Sequence, residues 1–167
     1  MTRATSIARA IALIGVVILP LPLTQGAAAE PGWREYADPS SGTRVEYPAN
    51  MFSVAEGPFR FGSGEGFGTA DGQAHLAVFT MKAEKSGSPA GFVARNLQVP
   101  RSALHYQRIA PRFFAISGIH ESDIYYVRCN SASSDRSTLH CIYLIYPTAE
   151  KRAWDPIVTR ISRTLRP

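Results

Sequence analysis

Histidine, cysteine, serine and glycine are the residue types in this chain that could do chemistry, and their spacing limits what that chemistry is. The four histidines, His75, His105, His120 and His140, contain no pair at the spacing that sets two metal ligands on one helix face. His120-Glu121-x-Asp123 could gather nitrogen and oxygen ligands around one turn, but such a turn is more often simply solvated. The glycines at 62, 64, 66 and 68 suggest a phosphate cradle, yet Phe67 stands where Gly-x-Gly-x-x-Gly needs its last glycine. No Gly-Lys-Ser/Thr follows. Ser63 has Phe61 and Glu65 at the outer positions that a Gly-x-Ser-x-Gly nucleophile turn fills with glycine. A Ser-His-Asp triad is recognised by geometry, and nothing in the sequence raises one above chance. No catalytic residue, no resident metal and no cofactor is expected.

Cys129 and Cys141 are the only cysteines. They flank a polar loop between two arms rich in β-branched and aromatic residues, Asp123–Cys129 and Leu139–Tyr146, which fit a pleated surface. Redox or metal pairs are usually closely spaced, as in Cys-x-x-Cys, so one structural disulfide is the simplest expectation. If the two lie opposite each other, the antiparallel register follows: Val127 faces Tyr143, Tyr125 faces Ile145, and Ile124 faces Tyr146. One face then carries Tyr125, Val127, Tyr143 and Ile145, and the other Ile124, Tyr126, Ile142, Leu144 and Tyr146. Both faces are apolar, which predicts an interior hairpin covered on both sides. The tyrosines are expected as core residues with hydroxyls at polar edges, the alternative being the floor of an apolar pocket with Tyr106 nearby.

The start of the chain reads as a secretory signal. Arg3 and Arg9 supply positive charge, Ala10–Leu23 is apolar, and Ala27-Ala28-Ala29 offers small residues for cleavage. Pro20 and Pro22 interrupt a run already short for a bilayer, no arginine pair suggests twin-arginine export, and no nearby cysteine could take a lipid. Residues 1–29 are therefore expected as a signal peptide and 30–167 as one domain, 138 of the 167 residues, with no stable membrane anchor. Losing a leader with two arginines and no acid takes the net charge from +5 to +3, too small a bias to require a polyanion; nucleic acid is not expected as a partner. The expected location is the periplasm if the source is Gram-negative, and outside the cell otherwise.

Along the domain, Glu30–Ser41 ends in the turn-rich Asp38-Pro39-Ser40-Ser41-Gly42. Thr43–Tyr47 and Met51–Ala55 read as short strands, and Phe61–Gly68 as a loop or loosely paired arm because interior glycines weaken strands. Asp71-Gly72 is a hairpin turn leading into the strand His75–Met81. Ser88-Pro89 caps a short helix, Pro89–Gln98. Leu104–Ile109, Phe113–Ile119 and the cysteine hairpin follow as antiparallel strands. Ile157, Val158, Ile161 and Leu165 then form a helical stripe, with Asp155-Pro156 as a second cap and an earlier turn, Thr148–Trp154, interrupted at Pro156. The order predicts an α+β fold, an antiparallel sheet with helices packed on its faces in an α/β/α sandwich.

Gly42-Thr43-Arg44-Val45-Glu46-Tyr47-Pro48 followed by Phe52, the strand opened by Asp71-Gly72, the mid-chain helix and the closing Val158-x-x-Ile161-x-x-Thr164-Leu165 resemble the PsbP/DcrB-like α/β/α sandwich family. The likeness covers nearly all of residues 30–167 and rests on fold-marking positions. It implies an accessory or binding role, as in a photosystem accessory subunit, a Ran-binding protein and bacterial envelope proteins, and it transfers no catalytic residue. The expected function is thus an exported, non-enzymatic envelope protein that binds a partner protein or small ligand; the alternative is a small envelope hydrolase with a site unrecognisable in sequence. Asp135 and Arg136, the charged residues at the tip of the loop between the cysteines, are the expected partner contacts.

Overall fold

The computed structural model describes residues 32–60, 62–83 and 101–167, together with Gly91 and Arg95. The expected signal peptide lies outside the described residues, as does the expected Pro89–Gln98 helix except for Gly91 and Arg95. Among those residues the chain is α+β, with nine strands in two antiparallel sheets. Strands β1 (Trp33–Ala37) and β2 (Arg44–Pro48) form a separate hairpin. The main sheet contains β3 (Val54–Pro58), β4 (Ser63–Gly68), β5 (His75–Lys82), β6 (Leu104–Ala110), β7 (Phe113–His120), β8 (Asp123–Asn130) and β9 (Thr138–Pro147). Their spatial order is β3-β4-β5-β9-β8-β7-β6. A 3-10 turn at Thr148–Glu150 leads into helix α1 (Lys151–Thr164).

The cysteine hairpin sits in the middle of this sheet, with β9 and β8 each paired on both sides. Cys129 stands opposite Cys141 with Cα atoms 4.1 Å apart and the disulfide formed. Val127–Tyr143, Tyr125–Ile145 and Ile124–Tyr146 pair as the cysteine-anchored register requires. Alternation then builds two apolar clusters. Phe79, Ile116, Tyr125, Val127 and the disulfide pack on one face. Leu76, Val78, Ile142, Leu144 and Tyr146 pack on the other, beneath α1 and the β1–β2 hairpin.

Helix α1 presents Trp154, Val158 and Ile161 to that second face, and Tyr146 stacks on Trp154 with ring centroids 5.5 Å apart. The hairpin is then clamped by the end of the chain. Arg160 lies over the Trp33 ring, 4.0 Å from its centroid, and donates through Nε and Nη2 to Glu46 Oε2 at 3.1 and 2.9 Å. Arg44 and Arg166 exchange two backbone hydrogen bonds of 2.9 and 3.0 Å, and both guanidinium groups reach the Glu35 carboxylate. The arginine side of α1 is thus a docking surface as well as a solvated one.

Four local expectations change. Strand β1 was not apparent in the turn-rich Glu30–Ser41 stretch, because its order follows from β2 and α1 and not from alternation of its own. The second short strand runs over Val54–Pro58, since Met51 and Phe52 bond back to the Pro48 carbonyl in a turn. Within the glycine stretch, Ser63–Gly68 is a strand, paired with β5 throughout and with β3 over Glu65–Gly68. An added Cβ at Gly64 would lie 2.0 Å from the Val78 carbonyl oxygen, so glycine there permits a close strand approach. Finally, α1 begins at Lys151 and continues through Pro156. Asp155 does not cap it; it accepts from Lys151 Nζ one turn back at 2.7 and 2.9 Å, while Trp154 Nε1 donates to Glu150 at 3.0 Å. These contacts tie the first turn to the rest despite the missing proline N–H. Helix α1 covers one face of the sheet, so the described residues support the α+β class but not helices on both faces.

Candidate functional site

The Asp38–Thr43 turn of the small hairpin lies against the ends of β5 and β9, and a cleft of about 680 Å³ opens there, lined by Ser41, Ser63, Thr80, Lys82, Asp135 and His140 among others. Thr80 and His140 are cross-strand partners, as are Lys82 and Thr138, which puts all four side chains on the hairpin-covered face. The Asp38 turn is closed by its own backbone, Asp38 N donating to Thr43 O at 2.9 Å and Gly42 N to Asp38 O at 2.8 Å. Gly42 takes φ +75°, a conformation that suits glycine.

A chain of hydrogen bonds runs from that turn to the sheet. Ser41 Oγ donates to Asp38 Oδ2 at 2.6 Å, Ser41 Oγ and Thr43 Oγ1 are 2.8 Å apart, and Thr43 Oγ1 and His140 Nδ1 are 2.7 Å apart. Ser40 gives Asp38 Oδ1 two more bonds, from its amide at 2.9 Å and its hydroxyl at 2.8 Å. Burial works to raise the Asp38 pKa, but the bonds from Ser41 and Ser40 outweigh it and hold the carboxyl below its ordinary 3.8. Asp38 is therefore an anion at neutral pH and can only accept. Each hydroxyl has one proton. Ser41 spends its proton on Asp38, so Thr43 must donate to Ser41, and His140 Nδ1–H must donate to Thr43. Thr43 is fully buried and His140 is 6% exposed. Burial pushes the His140 pKa down against the pull of the Asp135 and Asp38 carboxylates, so the ring is neutral at neutral pH. Its Nε2 therefore carries a lone pair, in a ring that lines the cleft, and it makes no hydrogen bond to another described residue.

The loop between the cysteines forms one rim. Asp135 Oδ1 accepts from the Ser137 amide and hydroxyl, both at 2.7 Å, and these bonds are the main reason its carboxyl titrates below 3.8. Arg136 is exposed and makes no hydrogen bond or ion pair with another described residue. Asp135 thus orders the loop and lines the cleft, while Arg136 is an exposed charge outside the cleft lining.

The remaining sequence candidates stay apart. His75 Nδ1 is 2.5 Å from Glu56 at the other end of the sheet, and His105 and His120 are exposed on the far strands. Among the described residues, no three His, Cys, Asp or Glu side chains gather as metal ligands would. Glu121 takes φ 56° in an exposed turn beside His120. The tyrosines divide between the two faces. Tyr125 Oη donates to the Ala103 carbonyl at 3.0 Å on one side, while Tyr126 Oη and Ser162 Oγ are 2.7 Å apart on the other. Burial pushes the Tyr146 phenol up to about 12, as expected of a core residue. Tyr126 and Tyr106 share a 190 Å³ groove with Arg108, Phe113 and Arg128. Sequence reasoning named Asp135 and His140 but not Thr43, Ser41 or Asp38 as their company. The available signal was weak: an Asp-x-x-Ser-x-Thr pattern across a turn, with no indication of which distant histidine it meets.

The architecture is the PsbP/Mog1/DcrB-like fold. The solution structure of cyanobacterial PsbP (CyanoP) from Synechocystis sp. PCC 6803 superimposes with a TM-score of 0.57 at 11% identity, over 84% of this chain and 95% of that one. The Saccharomyces cerevisiae Ran-binding protein Mog1p does so with a TM-score of 0.51 at 10% identity, over 82% and 96%. At such identities the likeness establishes the fold alone. No protein-family description and no curated protein matches the sequence. Among the described residues no helix is long and apolar enough to cross a membrane.

Proposed function

We propose that the chain is an exported accessory module of the cell envelope that engages a protein partner and performs no catalysis, with residues 1–29 serving as a cleaved signal peptide. In this reading residues 30–167 are one domain with helices on both faces of the sheet, and the product is periplasmic in a Gram-negative source. The observation that carries it is the loop 131–137, exposed at its tip, whose ends are fixed by a disulfide between the two central strands. Holding a loop's ends lowers the entropy lost on recognition. Arg136 and Asp135 supply its charged contacts. The fold neighbours lend support, since one of them is a Ran-binding protein.

The hydrolase alternative meets an obstacle in the order of its groups. A nucleophile triad sets histidine between the hydroxyl and the acid. Here the hydroxyls of Ser41 and Thr43 stand between Asp38 and His140, and the hydroxyl that touches the ring is fully buried. The test is capture of envelope proteins by the mature chain, with and without replacement of Ser133–Ser137 by a Gly-Ser linker. The linker variant should stay folded and lose most of its affinity for the captured partner. Unchanged affinity would make the loop a connector only.

A further inference from the structure

His140 is more than nine-tenths buried and its ring is held through Nδ1, so its bare Nε2 is an acceptor presented at a fixed place on the cleft wall to whatever occupies the cleft. The other lining groups define its chemistry. Ser40 has spent its hydroxyl proton on Asp38 and presents only lone pairs, Ser41 is saturated by Asp38 and by the Thr43 hydroxyl and amide, and Asp135 is a carboxylate. Thr80 spends its proton on the Ser63 carbonyl at 3.4 Å. The Lys82 ammonium is the strong donor among these lining residues, so the wall is rich in acceptors and poor in donors. Lys82 and Asp135 set one charge of each sign on the cleft, which favours neither an anion nor a cation. A cavity of about 680 Å³ is of the size that takes a small molecule.

We propose that this cleft seats a small, neutral, hydroxyl-rich ligand of the sugar or polyol class, with His140 Nε2 as the fixed acceptor for one of its hydroxyls. The Asp38–Ser41–Thr43 chain acts as a positioning device that locks the ring in the tautomer bearing its proton on Nδ1. The Lys82 ammonium donates to a second ligand oxygen, while the lone pairs of Ser40 receive a further hydroxyl proton. The site meets the proposed partner loop at Asp135 alone, since its other recognition groups lie on β5, β9 and the Asp38 turn.

The test uses the 15N-labelled protein with D-glucose and myo-inositol as probes and inorganic phosphate as the contrasting anion. Before any probe is added, the His140 ring nitrogens should show Nδ1 protonated and Nε2 bare at neutral pH. At least one of the two probes should then shift His140 and the Ser63 and Thr80 amides saturably. In His140→Asn the side-chain amide nitrogen takes the place of Nδ1, so the bond to Thr43 and the fold persist while the acceptor is lost. Binding should weaken by roughly tenfold, the equivalent of one hydrogen bond. Thr43→Val keeps Nε2 but unlocks the ring, and should weaken the same probe while populating the other tautomer. The assignment is overturned if Nε2 carries the proton, if neither probe saturates, if His140→Asn binds as well as the parent, or if phosphate alone binds.

Discussion

Thr43 Oγ1 and His140 Nδ1 stand 2.7 Å apart although 97 residues separate them. This bond joins the small hairpin to a central strand of the large sheet, and it makes the protonation of one imidazole a structural matter.

Acid should therefore loosen the protein in two separate stages. The folded-state pKa of His140 is depressed below the ordinary 6.5, so the unfolded chain binds the proton more readily. Its contribution is fully present above 6.5 and is lost as pH falls from there towards the folded value. Asp38 and Asp135 are also depressed, and their contribution is lost only below their ordinary 3.8. Urea midpoints measured from about pH 7.5 down to about pH 5.5 should fall in the parent and stay nearly level in His140→Asn. Equal slopes would place the titrating group elsewhere.

Loss of the disulfide should weaken the fold without abolishing it. The bridge spans a separation of 12 residues, for which the chain-entropy treatment gives about 3 kcal/mol. Both cysteines are fully buried among apolar side chains, so Cys129→Ala/Cys141→Ala avoids the buried hydroxyls that serine would introduce. The double variant should unfold cooperatively at a lower denaturant concentration. A midpoint equal to that of the oxidised parent would show that the bridge restrains nothing.

Two glycines should respond differently to alanine. A Cβ at Gly118 would lie 1.7 Å from the Ala103 carbonyl oxygen and 2.6 Å from Tyr125 Oη, where that hydroxyl donates to the same carbonyl. Gly118→Ala forces backbone apart and should cost at least about 2 kcal/mol. Gly72 has open space but φ +69°, so Gly72→Ala should cost only about 1 kcal/mol, the strain of the left-handed region. Thermal midpoints of the two variants should rank in that order.

Arg160 combines a ring contact with a two-nitrogen hold on Glu46, at a site about half exposed. Arg160→Ala should cost about 1 kcal/mol. Arg160→Lys should recover little of it, because an ammonium cannot make the same planar fork. Amide exchange should quicken in β1 while β8 and β9 keep their protection.

The parts legible in the sequence were those governed by local pattern. The two-cysteine rule fixed the register of β8 and β9, alternation assigned Leu76 and Val78 against Phe79 and Met81, and the apolar stripe located α1. What escaped was set by neighbours distant in the chain. Strand β1 is specified by Arg160 and Glu35, β4 by the need for Gly64 to approach Val78, and the start of α1 by Glu150 and Lys151 outweighing a proline. The site was hidden for the same reason. Asp38, Ser41 and Thr43 look like an ordinary turn until His140 is brought beside them.

The Arg44–Arg166 pairing has a consequence in time. A chain synthesised from its N-terminus makes the first hairpin early but completes its docking only when the last turn of α1 has appeared, because Arg160, Thr164 and Arg166 join the Thr43–His140 bond and the Phe67 ring contacts as its fasteners. Contacts between such distant segments carry the largest loop-closure cost and form slowly. The cleft wall that the hairpin supplies is therefore fully fastened only among the final events of folding, and a product stalled a few residues short would hold its hairpin by the Thr43–His140 bond and the Phe67 rings without the closing latch.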